Sequence, residues 1–257
     1  MSRLRDPVDG CPWDRQQSFA TIVPYTLEET YELADAIESE DFSRIREELG
    51  DVLFQVVFYA QLASEQSQFF FDDVVSGLVS KLVKRHPHVF PESTLSSRAG
   101  VSSQDSKAVK NSWQTIKSKE RKAREQHSSM DDVPGNLPAL GRAAKLQKRA
   151  ARDGFDWKDS EGVLEKLHEE ISELQTACKG NQPQAIEEEL GDVLFSCVNL
   201  ARHLDVNPEM ALRGANNKFE QRYRYIETKL SARGISASDA TLEQMDQLWD
   251  EAKDAGL

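Results

Sequence analysis

The chain repeats itself, and that restricts it to folds made of two similar units. Shifted by 141 places, residues 28–60 (EETYELADAIESEDFSRIREELGDVLFQVVFYA) align without a gap on residues 169–201 (EEISELQTACKGNQPQAIEEELGDVLFSCVNLA). Glu28, Glu29, Glu32, Leu33, Ala36, Ile45, the run EELGDVLF (47–54), Val57 and Ala60 all recur. Slightly smaller offsets extend the likeness. Lys81 and Arg85 correspond to Lys218 and Arg222, and Trp113 and Lys117 to Trp249 and Lys253. A Trp/Asp element precedes each copy, CPWD at 11–14 and GFDW at 154–157. A Ser/Gly-rich stretch at 93–106 matches a shorter one at 231–240. A period this long marks a duplicated domain rather than a solenoid. Pro, Gly and Asn in HSSMDDVPGNLP break helices at the joint. The expected division is a first domain at 1–126, a linker at 127–137 and a second domain at 138–257.

Within each copy the apolar spacing is that of helices. The first copy predicts helices over 26–39, 42–66, 72–85 and 107–126. The second predicts them over 138–152, 160–179, 183–203, 208–232 and 241–255. No segment alternates with period two, so the expected class is all-α, two tandem domains of four or five helices, with essentially no sheet. The most apolar run, VLFQVVFYAQLA (52–63), is too short to span a bilayer and reads as a core helix.

Composition excludes several functions. A net charge of −12 argues against sequence-independent nucleic-acid binding, which needs a basic face. It does not argue against a small anionic substrate, because a bound divalent cation inverts the local charge. Cys11, Cys178 and Cys197 form no CxxC pair and read as reduced thiols of the cytoplasm. The start, MSRLRDPVDG, has no apolar core of a signal peptide, so no secretion and no membrane association are expected.

The chemistry rests on carboxylates. Positions i and i+3 of a helix share a face, so Glu29 and Glu32 point together, as do Glu48 and Asp51. Glu170 with Glu173, and Glu189 with Asp192, repeat the pattern. Both pairs lie near positions expected in the core, such as Leu33, Leu53 and Phe54. An antiparallel helix pair then brings four carboxylates together, an arrangement that like-charge repulsion resists. A hard cation with oxygen ligands, Mg²⁺ or Mn²⁺, resolves the conflict. One ExxE pair is common on a charged helix, but four carboxylates at the same spacing in both copies are not explained by surface alone. Gly50 and Gly191 stand inside strong helix patterns, where each costs about 1 kcal/mol against Ala, and predict close helix approach. A di-iron bundle would call for Glu-x-x-His on two helices, which is absent.

The second chemical element is basic. Lys218 and Arg222 are i, i+4 on one helix and suit phosphate oxygens, with Arg able to hold two at once. Phe155, Trp157 and Trp249 are candidates to stack on a base or to fill a core. There is no GxxxxGK[ST] loop and no GxGxxG after a strand. Acidic cluster, basic clamp and aromatics together describe a site for a nucleotide and a divalent cation.

The motifs EETYE and EELGDVLF, joined to GCPWDRQQSFATIVPYTLEE and KLVKRHPHVF, resemble the MazG family over essentially the whole chain. The resemblance implies an all-α tandem protein, a homodimer, and Mg²⁺-dependent hydrolysis of nucleoside triphosphates to the monophosphate and pyrophosphate. It implies a house-cleaning or stress-response role. By position, Glu170, Glu173, Glu189 and Asp192 match the metal ligands of the active copy. Lys218 and Arg222 match triphosphate contacts, and Trp249 a residue near the nucleotide. The family usually carries a further helix before RLRDP. The expected reaction is attack of water on the α-phosphorus, with the metal and Glu169 activating the water and Lys218, Arg222 and Lys253 beside the phosphates. Glu169 reads equally as a residue that orients ligands. Two rivals stand beside this reading: a narrower dNTP sanitiser of dUTP or dCTP type, and a non-catalytic helical interaction protein. Base preference is not legible.

Overall fold

A computed structural model describes residues 1–97 and 128–257, with positions 109, 113, 115 and 116 between them. It divides into two compact units, Met1–Arg121 and Lys122–Leu257. The described residues are helical or looped, without a strand.

The first unit opens with a short helix α1 (Pro12–Gln16), then α2 (Phe19–Glu38), α3 (Phe42–Glu65) and α4 (Phe71–Arg85). The second holds α5 (Ala139–Arg152), α6 (Ser160–Lys179), α7 (Pro183–His203), α8 (Pro208–Ala232), a 3₁₀ turn at Ala237–Asp239 and α9 (Leu242–Asp254). These bounds agree with the apolar spacing except at the short α1, which was not expected, and at the start of α2. Helix 26–39 was expected; the helix instead begins at Phe19 and runs through Pro24. An internal Pro costs about 3 kcal/mol. The Ser18/Thr21 capping box contributes about 1 kcal/mol. Burial of Ile22, 1% exposed, adds about 2 kcal/mol. Together these offset the proline. The helix expected over 107–126 lies outside the described residues, apart from helical positions 109, 113, 115 and 116.

Each unit is organised on one antiparallel helix pair, α2 with α3 and α6 with α7. In the first, Ile22 packs on Phe58 and Leu62, and Thr26 Oγ1 lies 2.9 Å from the Tyr59 hydroxyl. The tight turns joining the pairs are in register. Glu40 (φ 54°) and Asn181 (φ 48°) both take the left-handed conformation. Asp41 caps α3 by accepting from the Ser43 and Arg44 amides. The second unit has a further core where α8 meets α9: Ile226, Leu230 and Leu248, with Trp249 and Met245 against them.

Two expectations are corrected. Leu53 and Phe54 are not core; they are 55% and 38% exposed on one flank of α3. Nor do Gly50 and Gly191 mark a close helix approach inside a unit. A Cβ at either would meet nothing within 4 Å. The i+3 and i+4 spacing places both glycines on that same exposed flank, away from the helix partner.

Candidate metal and nucleotide site

In the second unit α6 supplies Glu170 and Glu173 and α7 supplies Glu189. One carboxylate oxygen from each lies within 4.8 Å of the others. Glu170 is buried, 6% exposed, while Glu189 is half-buried and Glu173 exposed. Partial loss of hydration beside the other carboxylates pushes the Glu173 carboxyl above the ordinary range, and the charges of Glu189, Glu170 and Glu169 add to that effect. Asp192, one turn after Glu189, is exposed and outside this set of three.

The first unit gathers Glu29 from α2 with Glu48 and Asp51 from α3, again within 4.8 Å. Burial raises the Glu29 carboxyl, with Asp51, Glu32, Glu48 and Glu28 acting in the same direction. Here Glu32 is the exposed member outside the set. So three of four expected carboxylates converge in each copy, and the outlying one differs.

The donor set suits a hard divalent cation. It is all oxygen, and neither trio includes a histidine or cysteine. In the first copy the buried amide oxygen of Gln55, one turn past Asp51 on the same face of α3, has no hydrogen-bond partner.

The sequence reading missed Lys166. Its ammonium lies 2.9 Å from Glu170 and 3.0 Å from Glu169, the i+4 and i+3 partners on α6. The two hydrogen bonds raise its own pKa. The signal was a plain i, i+3, i+4 charge pattern, lost among many acidic helices. The residue in register in the first copy is Tyr25, which packs edge-on against Trp13 at 5.6 Å.

The basic and aromatic candidates fall into two groups. Lys218 is exposed on α8 and Arg222, one turn on, is half-buried. The Arg222 guanidinium lies over the Trp249 ring, 5.3 Å from its centroid. Lys253 is paired locally with Asp250 at 2.8 Å. Phe155 and Trp157 lie apart from these, on the loop before α6. Phe155 is 80% exposed. Trp157 covers the first turn of α6, where a Cβ on Gly162 would lie 2.6 Å from its Cδ1. A third group was also missed. Asp156 in that loop is gripped by both terminal nitrogens of Arg202 and by His203 Nε2 at 3.0 Å. Arg202 in turn bonds Asn199, so the loop is tied to the end of α7.

Comparison with known proteins fits this geometry. The model of the MazG nucleotide pyrophosphohydrolase domain matches residues 17–90 and 158–226. The chain belongs to the MazG family. The two matches contain both carboxylate trios, Lys81 with Arg85, and Lys218 with Arg222; Trp249 and Lys253 lie beyond them. Among curated relatives, the nucleoside triphosphate pyrophosphohydrolase of Escherichia coli K12 is 51% identical over 255 residues, covering 98% of this chain and 94% of the relative. The nucleoside triphosphate pyrophosphohydrolase/pyrophosphatase MazG of Thermotoga maritima is 43% identical over 253 residues, covering 98% and 92%. The YabN protein of Bacillus subtilis is 43% identical over 252 residues, which is 98% of this chain and 50% of YabN. This MazG protein is therefore an enzyme, a nucleotide pyrophosphohydrolase in tandem form. No helix among its described residues is long and apolar enough to cross a membrane.

Proposed function

We propose that this enzyme hydrolyses nucleoside triphosphates to the monophosphate and pyrophosphate at the second unit, within residues 138–257, using Mg²⁺ or Mn²⁺ in the cytoplasm. The observation that carries the assignment to the second unit is the Lys166–Glu170 pair. It sets a buried carboxylate and a cation at the edge of the trio, where the first unit has Tyr25.

Glu170, Glu173 and Glu189 would hold the metal, with Asp192 reaching it from the next turn. Bound there, a divalent cation supplies charge neutralisation on the triphosphate and a lowered pKa for a bound water. Glu169, paired with Lys166, would accept the proton of the attacking water. Lys218 and Arg222 meet the departing pyrophosphate, Arg222 through two parallel hydrogen bonds. Lys253 is a weaker candidate for the phosphates because Asp250 engages it. Glu29, Glu32, Glu48 and Asp51 would hold a second cation in the first unit.

We also propose a homodimer, as the family resemblance implies, and exposed apolar surfaces on each unit support it. Leu49, Leu53 and Phe54 flank Gly50 in the first, and Leu190, Leu194 and Phe195 flank Gly191 in the second, all more than a third exposed. Flat glycine positions among apolar side chains suit close helix packing between two copies.

The test is pyrophosphate release over a panel of NTPs and dNTPs with and without Mg²⁺, in the wild type, Glu170→Ala and Asp192→Ala. Loss of release in both variants is expected. Unchanged release in both variants would remove these residues from the site, whereas no metal-dependent release by the wild type would leave a helical interaction protein. Turnover confined to one dNTP would instead mark a narrow sanitiser.

A further inference from the structure

Arg222 is held from two sides. Its guanidinium carbon lies 5.3 Å from the Trp249 ring centroid, and its Nε donates to the Leu257 backbone oxygen at 2.8 Å. Trp249 is itself fixed. It packs on Ile226, Leu230 and Leu248, and its ring meets Phe219 at 5.4 Å with a tilt of 52°. Phe219 stacks on Tyr223 at 6.2 Å. Arg222 therefore rests on a wall of α8 and α9 built from the core outward.

This geometry limits what Trp249 can do. The ring face under Arg222 is not open to a base while that contact stands. The Nε bond and the ring contact together set the plane of the guanidinium. They leave its two terminal nitrogens, the pair that forms a fork on phosphate, outside both contacts. A free Arg side chain gives up about 2 kcal/mol of rotamer entropy when a ligand fixes it. Holding it beforehand removes part of that cost.

We propose that Trp249 and the Leu257 backbone oxygen are positioning groups that aim Arg222 at the substrate's phosphates, and that Trp249 acts through Arg222 rather than as a platform for the base. The proposal rests on the reading of Arg222 as a phosphate contact.

A ligand without a base separates the two roles. Inorganic triphosphate, with Mg²⁺, serves as a competitive inhibitor of NTP turnover by the full chain. Its inhibition constant and the KM for NTP are measured in the wild type, Trp249→Met, Trp249→Phe, Arg222→Ala and the Arg222→Ala/Trp249→Met double variant. Trp249→Met fills the core but has no ring face. It is expected to weaken inorganic triphosphate and NTP by the same factor, about fivefold. Trp249→Phe, which keeps a ring, recovers most of that loss. The double variant matches Arg222→Ala alone, because Trp249 has nothing left to hold.

A Trp249→Met variant that weakens NTP but not inorganic triphosphate makes the ring a base platform and overturns the proposal. So does a double variant whose loss is the product of the single losses. Arg222→Ala with unchanged binding of both ligands would remove the phosphate reading itself, a separate result. Should Trp249→Met not fold, deletion of residues 255–257 tests the same frame from its exposed side. About threefold weaker binding of both ligands is expected there, and unchanged binding of both counts against the proposal.

Discussion

Lys166 bridges Glu169 and Glu170 in the second unit, and Tyr25 stands in its register in the first. Among the described residues, one acidic trio thus carries its own cation and the other does not. Glu170 is the most buried of the carboxylates, so its charge is the one most in need of a partner. Lys166→Met is expected to lower the melting temperature of the metal-free protein. It is also expected to enlarge the rise in melting temperature on adding Mg²⁺, since one cation then does the work of two. Equal Mg²⁺ shifts in variant and wild type would show that Lys166 does not neutralise the trio.

The raised carboxyls predict a trade between stability and activity. Glu173 and Glu29 have folded-state pKa values above the ordinary carboxylate range. A raised carboxyl contributes most to stability below its unfolded value, near pH 4.3, and the contribution is lost as pH rises through the folded value. Without metal, each trio therefore opposes folding at neutral pH. Glu173→Gln is expected to raise the metal-free melting temperature at about pH 7 while reducing pyrophosphate release by about 100-fold or more. The stabilising effect should fade toward about pH 4, where Glu173 is protonated in any case. A variant that melts lower than wild type at neutral pH contradicts the repulsion.

The fold was legible because its signal is repeated. Apolar spacing placed the helices to within a residue or two wherever caps and breakers agreed with it, as at Asp159 before α6 and Pro208 opening α8. It failed at Pro24, where burial of Ile22 and the Ser18 cap outweigh a local rule. The carboxylates were legible for the same reason: i, i+3 spacing in two copies. Three kinds of feature were not. Lys166 lies in a charge pattern shared by many surface helices. The grip of Arg202 on Asp156 joins residues 46 apart, which no periodicity reports. Leu53 and Phe54 look like core in the sequence, because an exposed apolar helix face has the same composition as a buried one.

Asp156 predicts an acid-sensitive loop. Arg202 first, and His203 second, hold its carboxyl below the usual range. A depressed carboxyl stabilises above its unfolded value, near pH 3.9, and that stabilisation is lost as pH falls through the lower folded value. The loop bearing Phe155 and Trp157 is expected to stay protected from amide exchange down to about pH 4 and to open below it. Asp156→Asn leaves Arg202 and His203 without their carboxylate. It should speed exchange at 154–159 at neutral pH and cost about 1–3 kcal/mol of stability. Unchanged exchange there would mean that other contacts hold the loop.

The duplication raises the question of which copy turns over substrate, and the difference at Lys166 and Tyr25 answers it in a testable form. Both trios have the oxygen donors for a cation, so metal binding alone does not separate them. Among the described residues, only the second has an ammonium beside its buried carboxylate, paired with both Glu169 and Glu170. Glu170→Gln is expected to reduce pyrophosphate release by about 100-fold or more, because it removes a metal oxygen and the partner of Lys166 together. Glu29→Gln, at the matching place in the first unit, should change release by about twofold or less while weakening Mn²⁺ binding to one of two sites. Mn²⁺ binding followed by electron paramagnetic resonance reads the metal count, and coupled pyrophosphate detection reads the rate. A loss of activity in Glu29→Gln as deep as that in Glu170→Gln would make both copies catalytic and deprive Lys166 of its deciding role.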